Sequence, residues 1–120
     1  MVFYLKSMFN NNSIIYGGIK MLYITKENFK ECVEKYDTLI IDFYADWCSP
    51  CTALSSIIDK VEKNYPNVTF GKVNIDEEEE LAMGFEVRSI PFVVKIKNGK
   101  IVDSFTGLHP ENFVEEFFAK

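Results

Sequence analysis

Apolar positions along most of the chain follow one of two rhythms, and the switches between them lay out the elements in order. "LYIT", residues 22–25, reads as a short strand. Thr25 can cap a helix whose Phe29, Cys32, Val33 and Tyr36 recur at three- and four-residue intervals on one face. "TLIIDFYA", residues 38–45, is a near-continuous β-rich run, the pattern of a strand covered on both sides. Leu54, Ile57, Ile58 and Val61 then trace a helical stripe ending near Asn64, with Pro66 just beyond as a stop. "VTFGKVNI", residues 68–75, is the third strand. Asp76 is expected to open a short helix through Met83, its glutamates at 77–80 lying where the helix dipole favours them.

The last third changes rhythm. "FVVKIK" and "KIVDSF" flank Asn98-Gly99, a dipeptide that supplies the two positive-φ residues of a type I′ turn, so an antiparallel hairpin is predicted. Pro110 suits the start of a closing helix whose Phe113, Val114, Phe117 and Phe118 form one apolar face. The order βαβαβαββα implies an α/β fold, with a mixed central β-sheet flanked by helices on both faces, because crossovers between parallel strands place helices there. After residue 20 there is no repeat, linker or low-complexity tract.

The first twenty residues have no such rhythm. Lys6 and the asparagines at 10–12 break what would otherwise resemble the apolar stretch of a signal peptide, and the segment has no arginine, unlike an organellar transit peptide. It reads as a loosely ordered extension or as sequence upstream of an alternative start at Met21, with an extra edge strand from Val2 to Phe9 as the other reading. Residues 21–120 are then the folded domain.

Composition narrows the function classes. A chain of 120 residues, 48% hydrophobic, can close one core and has little material for a second. The net charge of −5 carries no basic stripe, which argues against nucleic acid or an anionic membrane as main partner. No run approaches the roughly 18 apolar residues of a membrane span. Three cysteines are too few for a disulfide scaffold.

Two of those cysteines, Cys48 and Cys51, stand behind Trp47 with Pro50 between them, in the turn from "LIIDFYA" into the next helix. Residues three apart share a helix face at about 5–6 Å, a separation that a disulfide bridges without moving the backbone. Cys48 also lies where free amide N–H groups and the helix dipole favour an anion, which lowers a thiol's pKa; Cys51, one turn deeper, should be more buried and more basic. Lowering a thiol pKa from about 8.5 to about 7 raises its thiolate fraction at pH 7 roughly 16-fold, while a Brønsted slope near 0.45 cuts nucleophilicity roughly fivefold. The net gain is about threefold. An intramolecular second thiol, acting at an effective molarity of about 10⁵ M or more, contributes far more by resolving a mixed disulfide on Cys48.

Other readings of these cysteines are weaker. Cys32, Cys48, Cys51 and His109 add up to a Cys₃His zinc set, yet Cys32 sits on an apolar helical stripe as a small core residue and no second closely spaced ligand pair follows. Haem attachment requires histidine at position 52, where Thr52 stands. Asp42 interrupts the apolar run that delivers Cys48. A carboxylate buried there without a partner would hold its proton tightly and could take the proton of Cys51 as that thiol attacks, with Lys72 on the adjacent strand as counter-charge; the alternative places Asp42 at a polar edge and Lys72 in solvent.

Taken together, "DFYADWCSPC", "GKVNID", "VRSIPF" and "KNGKIVDSFTG" resemble the thioredoxin family in order and spacing, over roughly residues 22–120. The resemblance implies a thioredoxin fold, with Cys48 as attacking cysteine, Cys51 as resolving cysteine, Asp42 as buried acid and Lys72 as its partner. It makes Trp47, Ile90, Pro91 and Gly107 the rim that holds substrate. Pro91 is then expected to be cis, leaving Ile90's backbone groups free for an extended substrate segment to pair as an added strand.

The implied activity is reduction of protein disulfides in the cytoplasm by a monomer. No bound cofactor or metal is called for, and electrons are expected from NADPH through a thioredoxin reductase. The alternative is a binding module in a larger assembly whose thiols are incidental. Several positions depart from the family pattern. Ser49 stands for glycine, Thr52 for a basic residue, Tyr44 for tryptophan and Phe92 for threonine, and Ser56 stands for a helix-kinking proline, which predicts a straighter helix. Without a positive charge at position 52, the thiolate should be slightly less stabilised.

Overall fold

The computed structural model describes residues 13–16 and 19–120. The elements are β1 (Ser13–Tyr16), β2 (Ile19–Leu22), α1 (Phe29–Lys35), β3 (Thr38–Tyr44), α2 (Ser49–Glu62), β4 (Thr69–Asn74), α3 (Glu79–Gly84), β5 (Phe92–Lys97), β6 (Lys100–Thr106) and α4 (Glu111–Ala119). The expected Val2–Phe9 strand lies outside the described residues, as do 17–18; β1 and β2 pair antiparallel.

The main sheet runs β4-β3-β5-β6 and is mixed: β3 is parallel to β4 and antiparallel to β5, and β5 and β6 form the predicted hairpin. Asn98 and Gly99 adopt φ of 50° and 81°, the left-handed pair that lets a two-residue turn follow the twist of its strands. The first predicted strand is shorter than its sequence reads. Leu22 closes β2 and Tyr23 alone bridges to Lys72, with the Ile24 N–H on the Lys72 carbonyl, before the chain turns into α1. There Thr25 Oγ1 accepts the Asn28 N–H at 3.3 Å while Asn28 Oδ1 accepts the Thr25 N–H at 2.8 Å, a reciprocal cap built on asparagine.

Strand alternation separates two cores. Leu39, Ile41 and Phe43 face α1 and α3, packing with Cys32, Val73 and Val94. Ile40 faces α2 and α4, packing with Leu54, Ile58, Val61, Val93, Val114 and Phe117. Helices therefore cover both faces, as the sequence order implied. Two ionisable residues on the second face, Asp42 and Lys95, are buried; the Lys95 ammonium donates to the α4 carbonyls of Phe117 and Phe118 at 2.8 and 3.1 Å, satisfying groups that a helix C-terminus leaves without internal partners. α3 begins at Glu79 rather than at Asp76. Asn74 Oδ1 takes the Asp76 N–H, and the Asn74 carbonyl takes those of Glu77 and Glu78, so a turn precedes the helix.

Candidate functional site

Cys48 is the N-cap of α2, with Ser49 and Pro50 in the first turn. Its sulfur accepts the Cys51 N–H at 3.2 Å, the position that a serine hydroxyl takes in an ordinary N-cap. Cys48 and Cys51 are joined as a disulfide with Cα atoms 5.2 Å apart. When reduced, that amide and the dipole of a 14-residue helix bear on the Cys48 sulfur, and both favour thiolate. Both residues are buried, Cys48 at 5% and Cys51 at 2% exposure, so in the oxidised state the outer cysteine is only marginally more open than its companion. α2 runs unbroken past Ser56, whose hydroxyl donates to the Thr52 carbonyl.

Of the residues expected at the rim, Ile90, Pro91 and Gly107 lie together beside the cysteine pair. Ile90 packs against Ala45, Cys48 and Cys51. The Ile90–Pro91 bond is cis. The Pro91 carbonyl accepts the Gly107 N–H at 2.8 Å, and Gly107 sits at φ 90°, where a side chain would be strained. Among the described residues, the Ile90 N–H and C=O make no hydrogen bond. Trp47 is 70% exposed, and its indole N–H donates to Asp76 Oδ2 at 2.9 Å, which fixes a large apolar ring beside the cysteines. Asp76 was legible only as a helix start; its role as an anchor for Trp47 depends on the turn that replaces that first helical turn.

Asp42 lies on β3 at 0% exposure, and neither carboxyl oxygen has a hydrogen-bond partner among the described residues. Burial pushes its pKa up to about 7, Lys72 pulls it down and Asp59 adds to the rise. Lys72 is its register partner on β4. Yet the Lys72 ammonium donates to Ser55 Oγ at 2.8 Å and lies 4.9 Å above the Tyr44 ring, so it acts on Asp42 through the field rather than as a contact ion pair. Sequence reasoning missed Ser55. Its signal was the stripe Cys51, Ser55, Asp59 at intervals of four along α2.

A cavity of about 240 Å³, lined by Cys51, Thr52, Ser55, Lys72 and Tyr44 among others, opens beside the inner cysteine. A larger apolar groove of about 530 Å³ lies between α1, α3 and the opposite face of the sheet and includes neither cysteine. Cys32 is sealed in the α1 core, where burial raises its thiol pKa. No group of three metal-ligating side chains converges among the described residues. The acidic run is engaged locally: Glu78 accepts the Lys26 N–H and Glu80 pairs with its ammonium.

The Thioredoxin family model matches residues 20–120. The chain belongs to the thioredoxin family. It is 41% identical over 96 residues to the thioredoxin of Rickettsia bellii, covering 78% of this chain and 91% of that one. It is 39% identical over 95 residues to mouse mitochondrial thioredoxin, again over 78% of this chain, and there it spans only 57% of the relative's length. Among solved structures, oxidised mitochondrial thioredoxin 3 of Saccharomyces cerevisiae superposes with a TM-score of 0.77 at 30% identity, over 82% of this chain and 93% of the other. Plasmodium falciparum thioredoxin gives 0.75 at 26% identity, over 79% and 92%. The thioredoxin fold implied by the sequence is therefore the fold of this chain.

Proposed function

We propose that the protein is a thiol–disulfide oxidoreductase that reduces protein disulfides, with residues 21–120 as its catalytic domain. The observation that carries this reading is a disulfide-linked Cys48–Cys51 pair at a helix N-terminus, packed against Ile90 beside a cis Pro91. The Cys48 thiolate attacks one sulfur of a substrate disulfide. A Cys48–substrate bond forms, the substrate's S–S bond breaks, and the departing sulfur takes a proton from solvent.

Cys51 then passes its proton to the Asp42 carboxylate as its sulfur attacks Cys48. The Cys48–Cys51 bond forms and the second substrate sulfur leaves. Two electrons have moved from the dithiol to the substrate, and Asp42 returns its proton to solvent. A group whose pKa is about 7 suits this task, being partly ionised at neutral pH yet basic enough to accept from a thiol.

Trp47, Ile90, Pro91 and Gly107 form the substrate rim in this reading, with the free Ile90 backbone groups pairing to an extended segment. Family membership supports disulfide-containing proteins as partners and chemistry that needs no bound cofactor. NADPH, through a thioredoxin reductase, reopens the Cys48–Cys51 bond. The proposed setting is the cytoplasm and the proposed form a monomer; among the described residues no helix is long and apolar enough to cross a membrane.

The test is coupled NADPH oxidation with a thioredoxin reductase and insulin, together with the equilibrium against a dithiothreitol couple. Turnover that Cys48→Ser abolishes, and a reducing potential, support the proposal. Folded protein that does not turn over, or a potential at the oxidase end of the scale, overturns it.

A further inference from the structure

Asp42 and Lys72 occupy paired positions on neighbouring parallel strands, both on the face under α2, so their side chains are close enough to meet. They do not form an ion pair. The ammonium is drawn to Ser55 Oγ at 2.8 Å and to the face of Tyr44, while both carboxyl oxygens stay bare. A buried carboxyl beside a lysine ordinarily takes that lysine as its partner, because an isolated buried charge is costly. Here the polar contact that the ammonium makes instead is with the Ser55 hydroxyl.

We propose that Ser55 is a positioning residue, whose hydroxyl holds the Lys72 ammonium off Asp42 and so keeps the carboxyl unpaired as a base for the Cys51 thiol. The inference rests on the proton-acceptor role proposed for Asp42. Its geometry is compact: Ser55 lies one helical turn beyond Cys51 on the same stripe of α2, half-buried, and it lines the cavity that Cys51 and Lys72 share. An ion-paired carboxylate would be permanently charged but a poor base; an unpaired one meets the thiol closer to its own acidity.

The groups facing Asp42 can be named from each side. β4 contributes Lys72, α2 contributes Asp59, and β5 places Val93 beside it in register. Lys95, farther along β5, is committed to the α4 carbonyls.

The test is titration of the Asp42 carboxyl in the oxidised protein, by carbon-13 labelling of aspartate, with the resonance assigned through Asp42→Asn. The parent should titrate near 7. Ser55→Ala, which keeps a good helix former, should release Lys72 onto the carboxylate and raise its acid dissociation constant about tenfold to a thousandfold; Ser55→Thr, which restores the hydroxyl, should stay near the parent. In a Lys72→Met background the difference between Ser55 and Ser55→Ala should vanish.

Identical titrations of the parent and Ser55→Ala would overturn the inference. So would a Ser55→Thr shift as large as that of Ser55→Ala, or a Ser55→Ala shift that persists without Lys72. Because the oxidised protein need not turn over, this result is separate from any failure of the reductase reading.

Discussion

Replacing Asp42 by Asn removes one titration from the folded state, and its effect on stability can be worked from the burial of that carboxyl. Its pKa stands at about 7 in the fold against 3.8 for an ordinary aspartate. Between those values the folded chain binds more protons than the unfolded one, so stability falls as pH rises and levels off above about 7. At roughly 1.36 kcal/mol per pKa unit, the full loss is roughly 4 kcal/mol, of which roughly 2.5 falls between pH 5 and pH 8.

Asn keeps the shape of the side chain and does not titrate. Any cost of burying its amide is the same at both pH values. Urea unfolding of oxidised parent and Asp42→Asn protein should therefore show the parent losing roughly 2.5 kcal/mol more than the variant from pH 5 to pH 8. With slopes of about 1–3 kcal/mol/M, that is a relative shift of about 0.8–2.5 M in midpoint. If the two pH–stability curves run parallel, Asp42 is not a buried, proton-holding group, and its proposed part in the reaction fails with it.

Three further outcomes follow from the same structure. Cys51→Ser should accumulate a mixed disulfide between Cys48 and a substrate protein, visible by non-reducing electrophoresis and mass spectrometry, whereas Cys48→Ser should trap none. Gly71→Ala should destabilise the fold by about 1–3 kcal/mol in chemical denaturation, because the added Cβ would lie 2.6 Å from Ile24 Cδ1 in a buried core, so an unchanged midpoint would contradict that packing. Lys95→Met keeps the apolar stem but leaves the Phe117 and Phe118 carbonyls without their ammonium donor. It should lose about 1–3 kcal/mol, and no loss would show that the α4 terminus does not need this donor.

Most of the scaffold was legible because its signals are local. Asn98-Gly99 can be read from two residues, since few others tolerate both positive φ values. β3 could be read from an apolar run too long and too β-branched for a surface strand. The misread boundaries have a common cause in side chains that compete for backbone groups. Asn74 gathers the Asp76 N–H and delays α3 until Glu79, and the Thr25–Asn28 cap follows a "LYIT" stretch whose strand pairing ends at Tyr23.

In the site, the spacing of Cys48 and Cys51 was enough to read a disulfide-capable pair, while the cis Ile90–Pro91 bond was expected only from the family resemblance. What the sequence could not resolve was a choice of partner. Lys72 can reach Asp42 or Ser55, and only packed side chains distinguish the two.

That choice gains its effect from where β3 lies. The strand is paired on both edges and covered on both faces, so its register is fixed by Leu39, Ile41 and Phe43 on one side and Ile40 on the other. A slip of one residue would carry Asp42 into the α1 core, away from Cys51, and expose the wrong face of the whole run. The acid is thus held by a strand paired on both edges and covered on both faces, and the two sulfurs by a helix turn at its end. The proposed proton transfer between them requires α2 to keep its seat on the sheet. That seat is the packing of Leu54, Ile58 and Val61 against Ile40, and these positions lie on the same helix as Cys51 and Ser55. The residues that hold α2 on the sheet therefore also set the distance over which the proposed transfer to Asp42 would run. For that reason a cavity-forming change such as Ile58→Ala should weaken the resolving step as well as the fold.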